Sequence, residues 1–509
     1  MSVAAHESDV EGLHRMGYAQ ELRRRMSTFS NFAVSFTIIS ILSGCLTLYG
    51  YGMNTGGPII MNIGWPLVGV MVLMVGLAMA EVCSSYPTAG GLYYWAAKLG
   101  GKNSAAWSWF TGWFNLLGQV GVTAGIDFGL ALFADALFNA LFNYPSTPIA
   151  IIGIYTVVLF LHGLLNTFGV GLVALLNDIS VWWHLIGVAL IFVVLLVVPA
   201  HHQSVSFIFT KFVNNTGFSG APIYVFLIGL LLAQYTFTGY DASAHMTEET
   251  HNAALAGPRG IVWSIIVSLI AGWVLLIAVT GAIQDYTAEA SSVTPGAQVF
   301  LDAAGHNMGL FLLFVIVGAQ FYCGMSSVTA NSRMIYAFSR DGAVPGSQLW
   351  HKINPRTRTP TNSIIFATVG AWLLGLPYLW SPVAYAAVTS IAVIGLYIAY
   401  GMPILLRLLA GDKFQRGPWH LGRWSYVVGW IAVIWIAFIA ILFVLPQVSP
   451  GTTLTTFNYA IVAVAVVLLY SGGYWVLSAR NWFKGPKVQG SAEELAQIER
   501  ELEAVGSTS

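Results

Sequence analysis

Apolar runs of about twenty residues, separated by short polar segments, fill the chain from residue 33 to residue 477. A helix rises 1.5 Å per residue, so ~20 apolar residues cross a hydrocarbon core of ~30 Å. On that criterion twelve spans are expected, at 33–53, 66–86, 105–137, 148–165, 177–199, 222–246, 260–283, 308–338, 361–379, 382–408, 424–446 and 455–477. The pattern predicts an all-α integral membrane protein, and an even number of crossings puts both termini on one side. Residues 1–32 are polar, with no short apolar core and no small-residue cleavage site, so no removable signal peptide is expected. The tail SAEELAQIERELEAVG carries Leu495, Ile498, Leu502 and Val505 at helical spacing. It reads as a short amphipathic helix or as a solvated, peripheral segment, and so does the polar N-terminal arm as a peripheral one.

Composition removes the soluble alternative. The 509 residues are 57% hydrophobic and 8% charged, whereas soluble domains are about a quarter charged. The net charge of zero hides a sorting of the charges. With the N-terminus inside, twenty of the 21 Lys and Arg residues fall inside or at inner helix ends, and Lys211 is outside. That asymmetry predicts cytoplasmic termini, and one missed helix would scramble it. Asp285, Glu289 and Asp302 make the loop after span seven acidic and external. No basic patch with interleaved aromatics points to nucleic acid. Cys45, Cys83 and Cys323 lie in apolar segments, so neither a disulfide framework nor a metal centre is indicated. With no P-loop, no cofactor motif and no nucleophile–base constellation, no enzyme is expected and any work would draw on a gradient.

Two of the spans are interrupted. Span one reads FTIISILSGCLTLYGYG, with Ser43-Gly44 at its centre, and span six reads LLAQYTFTGYDASAH, with Gly239 near its centre. A break leaves N–H groups at the start of one half-helix and C=O groups at the end of the other, tolerable in hydrocarbon only where they line a cavity. The N–H end suits an anion and the carbonyl end a cation. Two breaks side by side therefore suit a zwitterion, although a glycine in a membrane helix also serves close packing. Spans one and six would begin two five-helix repeats, at 33–200 and 201–409. Spans eleven and twelve would be appended at 410–478, between the arm (1–32) and the tail (479–509).

Four segments carry a family resemblance: LHRMGYAQELRRRMSTFSNFAVSF, EVCSSYPTAGGLYYW, TFTGYDASAHMTEET with NAALAGPRGI, and NSRMIYAFSRDGAVP. In this order the chain resembles the amino acid–polyamine–organocation superfamily, in its amino acid/choline branch, which includes GABA permeases and bidirectional amino acid transporters. The resemblance spans about residues 14–480. It implies the LeuT-like inverted-repeat fold and alternating-access transport of an amino acid or related amine. It further implies that Ser43, Gly44 and Cys45 offer amides to a substrate carboxylate, that carbonyls near Tyr235, Thr236 and Phe237 receive its amine, and that Tyr235 closes over the substrate.

Ionisable groups at membrane depth are the remaining signal, since a charge there costs at least ~2.5–3.5 kcal/mol. Asp241 follows Gly239 by two residues and reads as an N-cap of the second half-helix, as a proton carrier, or as the amine's partner. His184 of span five stands where some proton-coupled relatives of the family have a lysine, and is a proton-coupling candidate or a satisfied buried histidine. In span three Thr111, Asn115, Gln119, Thr123 and Asp127 recur every four residues. Asn115 and Gln119 are the candidates for substrate contact, and the others read as interhelical glue. Ser326 and Ser327 are candidate sodium ligands or packing groups. Glu81, Glu248, Glu249, Arg333, Arg340 and Asp341 lie at inner helix ends, as gate pairs or solvated termini, and His245 is a further gate or interface candidate.

These readings converge on a secondary transporter of the plasma membrane for an amino acid or small amine such as GABA, working by symport with a proton or sodium, or by exchange. The rivals are a choline or polyamine carrier and a non-transporting nutrient receptor. Choline lacks a carboxylate and would favour an aromatic cage with an acid such as Asp241.

Overall fold

The computed structural model describes residues 3–507 except 169, 382 and 383. Among the described residues, eleven helices are long and apolar enough to cross a membrane: Thr28–Thr47, Ile60–Ser85, Gly101–Phe142, Pro148–Thr167, Gly171–Val197, Ala253–Gly281, His306–Arg340, Thr361–Leu379, Ala384–Lys413, Gly422–Leu442 and Ala460–Trp482. They are spans one to five and seven to twelve. Span six is the one that fails the length test. Its apolar part, Pro222–Thr236, stops short, and the chain restarts as Ala242–His245 after an irregular stretch. The first two residues expected for span ten, 382 and 383, lie outside the described residues.

Most ends fall within a few residues of the expected ones, and the departures have local causes. Span seven starts early, at Ala253, and carries Pro258 inside the helix; the Ala254 carbonyl, which an N–H at 258 would have met, accepts from Ser84 Oγ at 2.7 Å instead. Span twelve is displaced towards its C-terminus because residues 455–459 fold as a turn, with Asn458 Nδ2 donating to Phe443 O at 2.7 Å.

The packing follows a five-span offset. Spans two and seven, three and eight, and four and nine pack on each other; one packs on seven as six packs on two, three on ten as eight on five, and four on eight as nine on three. Span eleven packs on spans two and ten. On the far side from the termini, Thr55–Gly56 pairs antiparallel with Val213–Asn214 and ties the end of span one to the approach of span six.

The arm and tail depart from the peripheral reading. Residues 17–26 run across the inner ends of the spans: Arg25 N and Met26 N both donate to Glu249 O at 2.9 Å, and His251 N donates to Met26 O at 2.9 Å. The tail lies along the arm. Gln489 N donates to Gly17 O at 2.8 Å, Ala19 N donates to Gln489 Oε1 at 2.7 Å, and His14 Nε2 lies 2.8 Å from Glu499 Oε1. Both termini therefore meet on one side. The tail helix Ala492–Ser507 buries Leu495; the side chain of Val505 lies outside those described.

Candidate functional site

The break in span one sits at Ser40, three residues before the expected Ser43-Gly44. Ser40 adopts φ 34°, ψ 85°, a left-handed conformation that separates Thr28–Ile39 from Ile41–Thr47. The Ser43 and Gly44 amides are drawn into the second half-helix and donate to Ser40 O at 2.7 and 3.0 Å. Gly44 has a different part: a Cβ there would stand 2.6 Å from Thr236 Oγ1 and 2.8 Å from Thr236 Cα. It lets span one press against span six at the level of both breaks.

Span six breaks as expected around Gly239. Its φ of +84° suits glycine, and a Cβ would overlap the Ile38 side chain. The exposed carbonyls are partly taken by the protein. Phe237 O accepts from Tyr397 Oη at 2.6 Å, Tyr235 O accepts from Thr238 Oγ1 at 2.7 Å, and Tyr240 O accepts from Ser35 Oγ at 2.8 Å. Beyond the break the restarted helix is laced to span one: Asn31 Nδ2 donates to Ser243 O at 2.9 Å and Ser243 Oγ donates to Asn31 O at 3.0 Å.

Asp241 is not the N-cap suggested by its position, because its side chain makes no capping hydrogen bond. Its carboxylate turns across the bundle instead. Gln119 Nε2 donates to Oδ2 at 2.7 Å, Tyr400 Oη donates to Oδ1 at 2.7 Å, and His245 Nε2 lies 3.2 Å from Oδ2. All four side chains are buried. Span three thus reaches the break through Gln119. Asn115, one turn earlier, has Nδ2 3.5 Å from His245 Nε2 and an Oδ1 with no partner. Sequence had offered Gln119 and Asp241 separately. Tyr397 and Tyr400 it did not offer, because two tyrosines in an apolar span look like any core aromatics until the fold aims them at the break.

His184 reads the break in span one directly: its Nε2 lies 2.7 Å from Ser40 Oγ and its Nδ1 2.8 Å from Ser180 O. Tyr235 is buried with its hydroxyl unpartnered. The Cys45 side chain is buried between spans one and six. Ser326 Oγ donates to Asn177 Oδ1 of span five, and Ser327 Oγ lies 2.9 Å from Thr123 Oγ1 of span three. Those hydroxyls therefore face different partners.

The charges at the helix ends next to the arm and tail pair with one another. Arg333 Nε donates to Glu249 Oε1 at 2.7 Å. Arg340 donates to both oxygens of Glu248, at 3.2 and 3.3 Å, and its guanidinium lies 3.8 Å from the ring centre of Tyr18 in the arm. Glu248 Oε1 also accepts from Ala89 N at 3.0 Å, in the loop after span two. Asp341 accepts from Tyr18 Oη at 3.1 Å, from Tyr93 Oη, and from Lys487 N of the tail at 2.9 Å. Burial pushes its carboxyl above the usual carboxylate range. Glu81 stands apart from this cluster. It joins spans two, ten and eleven through Arg407 Nε at 3.0 Å and Ser425 Oγ.

Known sequences decide what kind of protein carries this arrangement. The profile of the amino acid permease family matches residues 26–468, from the end of the arm to the middle of span twelve. The chain belongs to the amino acid permease family. The permease is 44% identical over 493 residues to an amino-acid permease of Arabidopsis thaliana, BAT1, with 93% of this chain and 95% of that protein covered. It is 31% identical to the GABA-specific permease of Saccharomyces cerevisiae, with 98% and 89% covered. A putative polyamine transporter of Candida albicans is 28% identical, with 97% and 92% covered. The all-α membrane fold and a transporter of amino acids or amines follow. A family of carriers is not one of enzymes.

Proposed function

We propose that this permease moves an amino acid or a small amine such as GABA across the plasma membrane by alternating access. The observation that carries the reading is the contact between the two breaks, with Gly44 against Thr236 and Gly239 against Ile38. An amino acid would lie there, its carboxylate towards the start of the second half of span one, beside Ser43, Gly44 and Cys45, although the Ser43 and Gly44 amides already donate to Ser40 O. Its amine would lie towards residues 235–237 of span six, with Asp241, Gln119 and Asn115 as the polar wall and Tyr235 as the lid. The five-span offset in packing supports two inverted repeats, 33–200 and 201–409, with 410–478 appended. Arg333–Glu249 and Arg340–Glu248 would be the inner gate of an inward-closed state, beneath cytoplasmic termini. A proton gradient, a sodium gradient or exchange would drive the cycle, with His184 and Asp241 as the coupling candidates.

Purified permease in proteoliposomes, given labelled substrate under imposed proton and sodium gradients, tests this. Uptake competed by amino acids and GABA is expected; inhibition by choline or polyamines alone would favour the carrier of those cations. Absence of counterflow with every compound would overturn the reading.

A further inference from the structure

A second carboxylate–imidazole pair lies behind the breaks and takes no part in them. Asp127 of span three and His162 of span four are both fully buried, with Asp127 Oδ1 3.0 Å from His162 Nδ1. The contact is not aligned as a hydrogen bond, and both oxygens of Asp127 and both ring nitrogens of His162 are left without a hydrogen-bond partner. Gly324, midway along span eight, makes room for the pair, since a Cβ there would overlap the Asp127 carboxylate. The Phe321 ring covers the imidazole, 4.5 Å between ring centres.

A buried carboxylate with no hydrogen bond and only an imidazole beside it is among the costlier features a fold can keep, and such groups concentrate where a ligand or proton is handled. The ligand here has to be small. The surrounding side chains are apolar or weakly acidic: Tyr155 on span four, Tyr235 on span six, and Cys323 on span eight are the titratable groups facing Asp127, with Tyr385 of span ten facing Tyr235. Tyr155 Oη is committed to Ala371 O at 2.6 Å, and the Cys323 thiol donates to Ile38 O at 3.2 Å, in the last turn before the span-one break. The hydroxyls of Tyr235 and Tyr385 are unpartnered.

We propose that Asp127 and His162 form a proton-binding site that couples closure of the bundle to proton uptake. This rests on the transport reading above, and adds a second titrating centre to it. With no added proton the pair is carboxylate plus neutral imidazole and carries one negative charge. One proton taken from water makes the pair net neutral, and on Asp127 it leaves a carboxylic acid beside a neutral imidazole, with no separated charges to bury. Closure dehydrates the site and favours the neutral form, because an unbalanced charge is the costlier one to bury. Opening to water lowers that penalty and lets the proton leave. Tyr235 and the Ile38 carbonyl place the two broken helices against this site, so its protonation is felt where substrate would bind.

Two measurements test it. Infrared difference spectra of the purified permease between pH 5 and pH 9 are expected to show a protonated-carboxyl band that disappears in Asp127→Asn and shifts in His162→Gln. In proteoliposomes, acidifying the substrate-loading side should speed wild-type uptake, and both variants should lose at least tenfold of that acceleration. Gly324→Ala keeps every titrating group but displaces the carboxylate, so it should move the pH midpoint of uptake. No such band in the wild type, a band that persists in Asp127→Asn, or variants that keep the wild-type proton acceleration would overturn the proposal. The spectral arm needs no transport, so an absence of counterflow would strike the transport reading and leave the band to judge this site.

Discussion

Arg333 of span eight holds Glu249 at the end of span six with Nε donating to Oε1 at 2.7 Å, and neither side chain is exposed. The backbone oxygen of the same glutamate accepts both Arg25 N and Met26 N. One residue therefore joins the scaffold, the broken helix and the N-terminal arm. Removing one partner of such a pair leaves a bare buried charge, at a cost of about 3–5 kcal/mol, whereas replacing both by apolar groups is often neutral. Glu249→Ala should accordingly destabilise the permease by about 3–5 kcal/mol, and Glu249→Leu with Arg333→Met should recover most of it. Thermal melts of the three proteins in one detergent check this; a single variant as stable as wild type would show that the pair is hydrated.

The tail bonds to the same end of the bundle by another route. Lys487 N caps Asp341, and Gln489 Nε2 donates to Glu21 Oε1 at 2.6 Å, while Glu21 Oε2 accepts from Tyr336 Oη at 2.6 Å. A chain ended after Pro486 loses the Lys487 and Gln489 bonds, keeps that between Tyr336 and Glu21, and keeps the membrane spans. That end of the bundle should open more readily, seen as faster labelling of a cysteine placed at Ala89 by a membrane-impermeant reagent. Equal labelling of full-length and shortened chains would show that the tail does not hold this end closed.

Gly239 tests the break itself. A side chain there meets both the left-handed backbone penalty of roughly 1–2 kcal/mol and overlap with Ile38. Gly239→Ala is expected to lower uptake at least tenfold. Adding Ile38→Ala should restore part of it, because that relieves the overlap but leaves the backbone strain.

On the opposite side, Glu289 is fully buried under the loop after span seven. Its Oε1 accepts from Gln284 N at 2.9 Å and Asp285 N at 3.3 Å, and its Oε2 has no partner. Burial pushes its carboxyl up to about 7, with Asp302 and Asp285 adding to the shift. The loop is tied to span one by Tyr286 Oη donating to Met53 O at 2.5 Å. A raised folded value means that the contribution of Glu289 to loop closure is full below the usual carboxylate range and is lost as pH rises through about 7. Hydrogen exchange in residues 285–292 should speed up between pH 5.5 and pH 8.5 beyond its intrinsic pH dependence. In Glu289→Gln that excess should vanish.

The spans were legible in sequence because they answer to a one-dimensional constraint. Twenty apolar residues cross a bilayer whatever their neighbours are. The break near Gly239 was legible for a similar reason, since a glycine followed by Asp241 cannot continue an apolar helix unnoticed. The break in span one was placed three residues late. Ser40 is an ordinary serine in an apolar run, and its left-handed backbone is imposed by the surrounding bundle, with His184 on its hydroxyl.

Partnership was what sequence alone could not decide. Local position left Asp241 open between a cap, a proton carrier and an amine partner; only the packing of spans three and ten against the break turned its carboxylate to Gln119 and Tyr400. Asp127 was visible as one member of a polar stripe, but His162 lies 35 residues away, and nothing local joins them. The arm and tail looked peripheral because they are charged, yet His14 meets Glu499 across them, Glu21 meets Gln489 and Tyr336, and Arg24 donates to Thr247 O. Hydrophobic length is a property of a segment and is written in it. Which buried polar group meets which depends on side chains converging from several helices, and that exists only once the helices are packed.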